Sequence, residues 1–426
     1  MREWIPLYPS RITRNFKFTR DFLGGSSLTE ESSTSNLVNM RGPGCPESCP
    51  GCSHRDQSAE ASLSQKQAFL ARSLAALVEP SNEVLQNVVG PEEPRRWGYR
   101  ERTCLRAGFQ KGRWVLGFLD PATTRLRASE RQIVAIPDCP THSPRVRRVL
   151  RRLCDLLPPD PAGFPLAFVV VSGALVTLVV KCSRKFRADW THVVDWSLLA
   201  HEGVQGVFLN FHPSAGDRVF SSGDGLLVFG DPVVQDERGF YYGPQSFQQL
   251  LPELYSQALN LAQEFLQPDS SSLVVDLYCG TGSSLKRWVS AGASAFGVEL
   301  SSEAIDCAKK NIESDRLEVL KGRCEHRLPQ IQSWLSAQES LAHGSLRRLL
   351  FVNPPRSGLE TSVLSWITSS YKPKRWAYLS CAPGSLARDL EVATRFGYRI
   401  CLLQPYDFFP RTAHVETLAL LERETA

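Results

Sequence analysis

The chain has no apolar run long enough to cross a membrane as a helix. Its longest, Leu166 to Val180, is β-branched, interrupted by Ser172 and Gly173, and short of the roughly 20 residues a spanning helix needs. It reads instead as two strands joined by a turn. The N-terminus lacks the continuous apolar core of a secretory signal, although Arg2, Arg11, Arg14, Lys17 and Arg20 leave a basic organelle-targeting leader open. Charge of one sign is scarce as well. A net +5 over 426 residues permits nucleic-acid binding without demanding it. No internal repeat is visible, and the polar stretch from Gly24 to Ser35 is expected to lack fixed structure.

Cysteine, by contrast, is plentiful. Twelve of them without a signal peptide imply a reducing, cytoplasmic setting in which thiols bind metal or do chemistry. GCPESCPGC sets Cys45, Cys49 and Cys52 in a Pro/Gly-rich loop where three sulfurs can converge. Zinc and iron–sulfur sites of this kind use four cysteines. Cys139, in the polar turn IPDCPTH, is the fourth candidate, whereas Cys104, Cys154 and Cys182 fall in regular strand or helix patterns. The same spacing occurs in radical S-adenosylmethionine enzymes, but no strand precedes this loop and no βα repeat follows it.

Three regions are expected: a flexible extension over 1–40, a mostly β central domain over 41–245, and a third domain over 246–426. The central region predicts a helix from Ser64 to Val78, then strands at Trp97 to Arg106, Trp114 to Phe118, Gln132 to Ile136, Ala167 to Val180, Leu226 to Gly230 and Gly239 to Gly243. Arg145, Arg147, Arg148, Arg151 and Arg152 crowd one predicted helix, either as a phosphate-facing patch or as a solvated face.

The pattern changes near Pro252. A helix from Glu253 to Phe265 leads into a strand, Ser272 to Leu277, that runs into DLYCGTG and a further helix. Strand, glycine turn and helix form the nucleotide corner of a doubly wound sheet. A second strand, Ala295 to Val298, ends in Glu299, which can accept hydrogen bonds from two ribose hydroxyls. After Gly280 and Gly282 the last glycine of a dinucleotide fingerprint is missing. The site therefore suits S-adenosylmethionine, which has no phosphate, and Asp276 suits its cationic methionine end. Strands at Leu317 to Leu320, Arg348 to Val352, Trp376 to Ser380, Tyr398 to Leu403 and Glu416 to Leu421 bring the count to seven, as in a class I methyltransferase sheet.

Cys381 lies between the strand Trp376 to Ser380 and a helix that Pro383 opens. A helix N-terminus would stabilise its thiolate, the nucleophilic form. A small buried hydrophobe is the plainer reading of such a cysteine.

Three motifs at strand ends then line up: NPPRSGL from Asn353, YLSCAP from Tyr378 and DFFPRTAHVE from Asp407. With them the chain resembles the RNA uracil-5-methyltransferase family, and the similarity continues upstream through SFQQ, WGYRER and IPDCP to the cysteine loop. The resemblance implies a [4Fe–4S] cluster on Cys45, Cys49, Cys52 and Cys139, and S-adenosylmethionine contacts from Gln249, Tyr278, Glu299 and Asn353. It also implies a nucleophile at Cys381, a base at Glu416, and an unstacked uridine in RNA as substrate. Asparagine at 353 is similar to the ribosomal-RNA branch without a TRAM domain, for which residues 1–40 are too few, and Leu251 replaces a usual asparagine. A monomer is expected. An adenine or cytosine amino-methyltransferase would carry an aromatic residue, and a cytosine-5 enzyme a cysteine, where Arg356 follows Pro-Pro. The rival from another class is a non-catalytic RNA-binding iron–sulfur relative.

Overall fold

The computed structural model describes residues 41–78, 83–127, 130–183, 194–213, 219–220, 225–342 and 344–424. The predicted extension 1–40 lies outside the described residues.

The chain opens with the cysteine loop and α1 (Ala59–Leu74), which Ser58 caps by accepting from the amide of Ala61 at 3.1 Å. This helix starts and stops earlier than the predicted Ser64 to Val78. Next comes a seven-stranded sheet of β1 (Arg102–Gln110), β2 (Arg113–Leu119), β3 (Ile133–Ala135), β4 (Leu166–Ser172), β5 (Leu175–Val180), β6 (Gly206–Phe211) and β7 (Gly225–Gly230), ordered β3-β2-β1-β4-β5-β6-β7. All neighbours are antiparallel except β5 and β6. As predicted, Leu166 to Val180 is a buried hairpin. The fully buried strand β6 had no counterpart in the sequence reading.

A second difference is instructive. The predicted strand from Trp97 begins only at Arg102, because Gly98 adopts φ +60° and turns the chain. Residues 98–100 bond instead to the segment after Cys139: the Gly98 amide donates to the Pro140 carbonyl and the Arg100 amide to that of Thr141, both at 2.9 Å.

Helix α2 (Pro144–Leu156) buries Val146, Val149, Leu150 and Leu153, a stripe at helical spacing. Its arginines lie off that stripe. Three of the five face carboxylates: Arg145 pairs with Glu101, Arg148 with Glu202 and Arg151 with Asp138.

After the short hairpin β8 (Val234–Gln235) and β9 (Tyr241–Tyr242), the second large sheet begins. It contains α3 (Pro252–Leu266), β10 (Ser272–Leu277), α4 (Ser283–Ser290), β11 (Ser294–Glu299), α5 (Ser302–Asn311), β12 (Leu317–Lys321), α6 (Cys324–Leu341), β13 (Arg347–Val352), α7 (Thr361–Trp366), β14 (Arg375–Ser380), α8 (Pro383–Arg395), β15 (Tyr398–Tyr406) and β16 (Glu416–Arg423). The order is β12-β11-β10-β13-β14-β16-β15, parallel through β14 and antiparallel at β16. Strand alternation divides the core between the two faces: Leu273, Val275, Leu277 and Trp376 on one, Val274, Phe351, Ala377 and Leu418 on the other. This is the doubly wound class I methyltransferase fold. Among the described residues, no helix is long and apolar enough to cross a membrane.

Candidate active site

Parallel strands end together, so their C-terminal ends form one rim where ligands of such sheets bind. Leu277 pairs with both Val298 and Val352. The residues that follow, Tyr278, Glu299 and Asn353, therefore share that rim. Tyr278 has φ +62°, a strained conformation for a bulky side chain. Its hydroxyl donates to the Glu360 carboxylate. Glu299 accepts from the Gly280 amide at 3.1 Å and from the Ser301 amide at 2.8 Å, which fixes its carboxylate against the glycine turn. Burial raises its pKa, and these N–H groups oppose the rise.

Gln249 lies in the loop before α3, and its buried Oε1 has no hydrogen-bond partner. An orphaned acceptor of this kind marks a place where a ligand donor fits. Leu251 is packed in the core with Leu254 and Tyr255. Asp276 lies within β10, one residue before its end. It is fully buried, one oxygen accepts from the Trp288 indole N–H of α4 at 2.8 Å, the other has no hydrogen-bond partner, and burial pushes its pKa up to about 7.

Cys381 and Glu416 meet through register. β14 and β16 run antiparallel with Ser380 opposite Thr417, and one step further sets Cys381 beside Glu416. Because β16 runs against its neighbours, its first residue stands at the same rim as the last residues of the parallel strands. Glu416 is only 4% exposed, so it is no surface carboxylate. Burial pushes it up to about 8, opposed by Arg356. Cys381 is pushed up to about 12, by burial first and Glu416 second, while Arg356 opposes. The helix N-terminus alone does not create the resting thiolate that the sequence suggested. Arg356 is the cation that favours it, and Arg356 Nη2 lies 3.3 Å from His414 Nε2. Burial and then Arg356 lower His414 to about 4, so its ring is neutral and can accept from the guanidinium.

One further residue holds this corner together. Asp389 of α8 is fully buried, accepts from the Tyr378 hydroxyl at 2.8 Å and the Leu359 amide at 2.9 Å, and pairs with Arg388. It ties the Arg356 loop to the helix that follows Cys381. Sequence reasoning missed it, although a carboxylate within the apolar stripe Leu386, Leu390 and Ala393 was a visible signal.

The other predicted group lies apart. Cys45, Cys49, Cys52 and Cys139 line one cavity together with Arg41, Arg55, Arg100 and Arg411. Burial raises the thiol pKa of Cys45, Cys49 and Cys52, and each is raised further by Cys139. Among the described residues, no group of three or more His, Cys, Asp or Glu could hold a single metal ion.

The chain is similar to several known proteins. Uncharacterized RNA methyltransferases of Thermosynechococcus vestitus and Halalkalibacterium halodurans are each 27% identical, over 89% of this chain and 84% and 82% of theirs. The crystal structure of Pyrococcus abyssi tRNA (uracil-54, C5)-methyltransferase, in complex with S-adenosyl-L-homocysteine, shares the fold with a TM-score of 0.64 at 22% identity, over 88% of this chain and 86% of that one. Residues 231–424 match the family described as tRNA (Uracil-5-)-methyltransferase.

Proposed function

We propose that the protein transfers a methyl group from S-adenosylmethionine to carbon 5 of a uridine in RNA, through a covalent bond between Cys381 and carbon 6. The observation that carries this reading is the β14–β16 register, which sets a thiol beside a buried carboxyl group with Arg356 within reach of both. Carbon 5 of uracil is too poor a nucleophile to react unaided. Attack by the Cys381 sulfur on carbon 6 makes an enolate whose charge reaches carbon 5. Arg356 favours the thiolate, and its guanidinium is suited to meet charge developing on oxygen 4. Bound S-adenosylmethionine supplies the electrophilic methyl group.

Glu416 then takes the proton from carbon 5, and the electron pair of that C–H bond expels the Cys381 thiolate. A carboxyl group poised at about 8 suits reversible proton transfer near neutrality. Glu299, fixed by two amides, suits the ribose hydroxyls, and the unpaired Oε1 of Gln249 suits a donor on the cofactor. Tyr278 and Asn353 complete this crevice. The uridine has to leave its stack to reach Cys381, which favours loops or flipped nucleotides. The outer face of α2 is our candidate for gripping RNA, and the Asn353 form of the motif favours ribosomal over transfer RNA.

We also assign a [4Fe–4S] cluster to Cys45, Cys49, Cys52 and Cys139. Four thiols around one cavity are the donor set of a cubane, and four arginines on the same walls offset its negative charge. Because a cubane binds each thiolate to a different iron, it needs sulfurs spread about a cavity rather than gathered on one point. Methyl transfer needs no electron, so its role is structural.

Release of tritium from RNA carrying 5-tritiated uridine tests the reaction. Release that requires S-adenosylmethionine is expected from the wild type and is absent from Cys381→Ala. Methylation without release would defeat the reading.

A further inference from the structure

The turn that carries the chain into Glu416, residues 407–415, is held from outside by the segment that begins at the cysteine loop. Lys66 of α1, fully buried, pairs with the buried Asp407 and donates to the Phe409 carbonyl at 3.2 Å. The Tyr99 hydroxyl donates to the Pro410 carbonyl at 3.0 Å. The amide of His54 donates to the Arg411 carbonyl at 3.0 Å, and the Ala413 amide donates to Ser53 Oγ at 2.8 Å. Ser53 directly follows Cys52.

Arg411 stands at the centre of these contacts. It has φ +68° and is 6% exposed. Its guanidinium lies 3.9 Å from the Trp97 ring centroid and donates to the Arg55 carbonyl, while it also lines the cysteine cavity. The Arg55 side chain in turn donates to the carbonyls of Glu47 and Cys49 at 2.8 and 2.6 Å. A continuous run of hydrogen bonds thus leads from the backbone of Cys49 through Arg55 to Arg411. Ala413 carries a second link, and Glu416 follows three residues later.

We infer that Arg411 is a positioning residue that couples the four-cysteine cavity to Glu416, so that a filled cavity holds the turn and keeps the carboxyl group opposite Cys381. The inference rests on the proposed roles of Cys381, Glu416 and the four cysteines. It goes beyond them in giving the cysteine cavity a specific task, which is the placement of the base. A cation–π contact and a hydrogen bond on a residue in the left-handed region form a sensitive anchor, because the strained backbone is maintained only while its surroundings over-determine it. Gln249, Tyr278, Glu299 and Asn353 lie in the loop before α3 and at the ends of β10, β11 and β13, and the turn meets that region through Phe408, whose ring centroid is 6.4 Å from that of Tyr255. The groups assigned to the cofactor are therefore not themselves anchors of the turn.

The coupling has a signature that a general brace would not give. With Cys381 intact and only the base misplaced, attack and methyl transfer proceed but release is slow. A methylated protein–RNA conjugate then accumulates, visible as a slow band on a denaturing gel. For Arg411→Met, which keeps the stem and removes the guanidinium, turnover should fall roughly 10²-fold, the scale of about 1 Å of misplacement. Affinity for S-adenosylmethionine by calorimetry should stay unchanged and the conjugate should accumulate. Cys139→Ser reaches the cavity from the other side and touches no anchor of the turn, and it should give the same pattern with loss of bound iron.

If Arg411→Met loses cofactor binding and has therefore misfolded, Ser53→Ala decides, since it removes only the bond from Ala413. Accumulated conjugate then supports the coupling, and normal release overturns it. Normal release by Arg411→Met or by iron-free Cys139→Ser overturns it as well. The underlying reading fails separately, if wild-type protein forms no conjugate with RNA containing 5-fluorouridine, whose fluorine cannot be removed as a cation.

Discussion

Cys381 stands at the end of a strand, whereas Cys45, Cys49, Cys52 and Cys139 all lie outside helices and strands. At the first site the sheet register determines the neighbours: Glu416 raises the thiol and Arg356 lowers it. At the second, glycine and proline turns bring the thiols to arginines on a shared wall. In the function proposed above, one sulfur makes and breaks a bond and the other four stay bound. Burial is the first cause that raises the thiol at both sites, and the charged neighbours then differ.

The sharpest way to break this comparison is to exchange the phenotypes. Cys381→Ala should abolish turnover and every RNA conjugate while leaving about four irons per chain, as four-cysteine cubane ligation implies. Iron analysis, brown colour and gel assay check this together. A colourless anaerobic preparation with one zinc would remove the contrast. Glu416→Gln keeps the nucleophile, so methylated conjugate should build up while turnover is lost.

Next in size is the cofactor crevice. Glu299→Ala removes a charged acceptor and should weaken S-adenosylmethionine by about 2–3 kcal/mol, with RNA affinity little changed. Calorimetry and an RNA-binding assay separate the two, and an equal loss of both would indicate misfolding.

The pH dependence sharpens the catalytic side. Burial raises Glu416 to about 8 and it must be without its proton to act as base, so kcat/KM should rise with pH through that region. The limb belongs to the Cys381–Glu416 pair rather than to either group. For stability the sign is opposite. The folded pKa is raised above the ordinary carboxylate value, so stability present at low pH is lost as pH rises towards about 8. Glu416→Gln should remove that loss, which thermal unfolding at acid and alkaline pH would show.

The smallest effect concerns Asp389. Asp389→Asn preserves shape but weakens its bonds to Tyr378, Leu359 and Arg388, and should cost on the order of 1–3 kcal/mol in denaturant unfolding. Cofactor binding should persist.

Much of this was legible in the sequence. The strand from Ser272 to Leu277, its glycine turn and Glu299 follow from local pattern, as do all seven strands of the second sheet and the hairpin within Leu166 to Val180. Periodicity reports which side of a segment is buried, and that is a local property. Strand β6 escaped because a short, fully buried apolar run has no alternation to read. The false start at Trp97 arose because alternating residues suggested a strand across Gly98, whose left-handed turn depends on pairing with a distant segment.

The sequence by itself thus determined the fold class and the seven strands of the second sheet. Only the tertiary structure decided that Glu416 stands beside Cys381, since an antiparallel last strand and its register follow from long-range pairing. It also decided that Asp276 faces Trp288, that Asp389 ties the Arg356 loop to α8, and that Arg411 joins the cysteine cavity to the turn before Glu416. These are contacts between segments far apart in the chain. Their geometry is set by how the packed elements close on one another, which no local pattern of residues encodes.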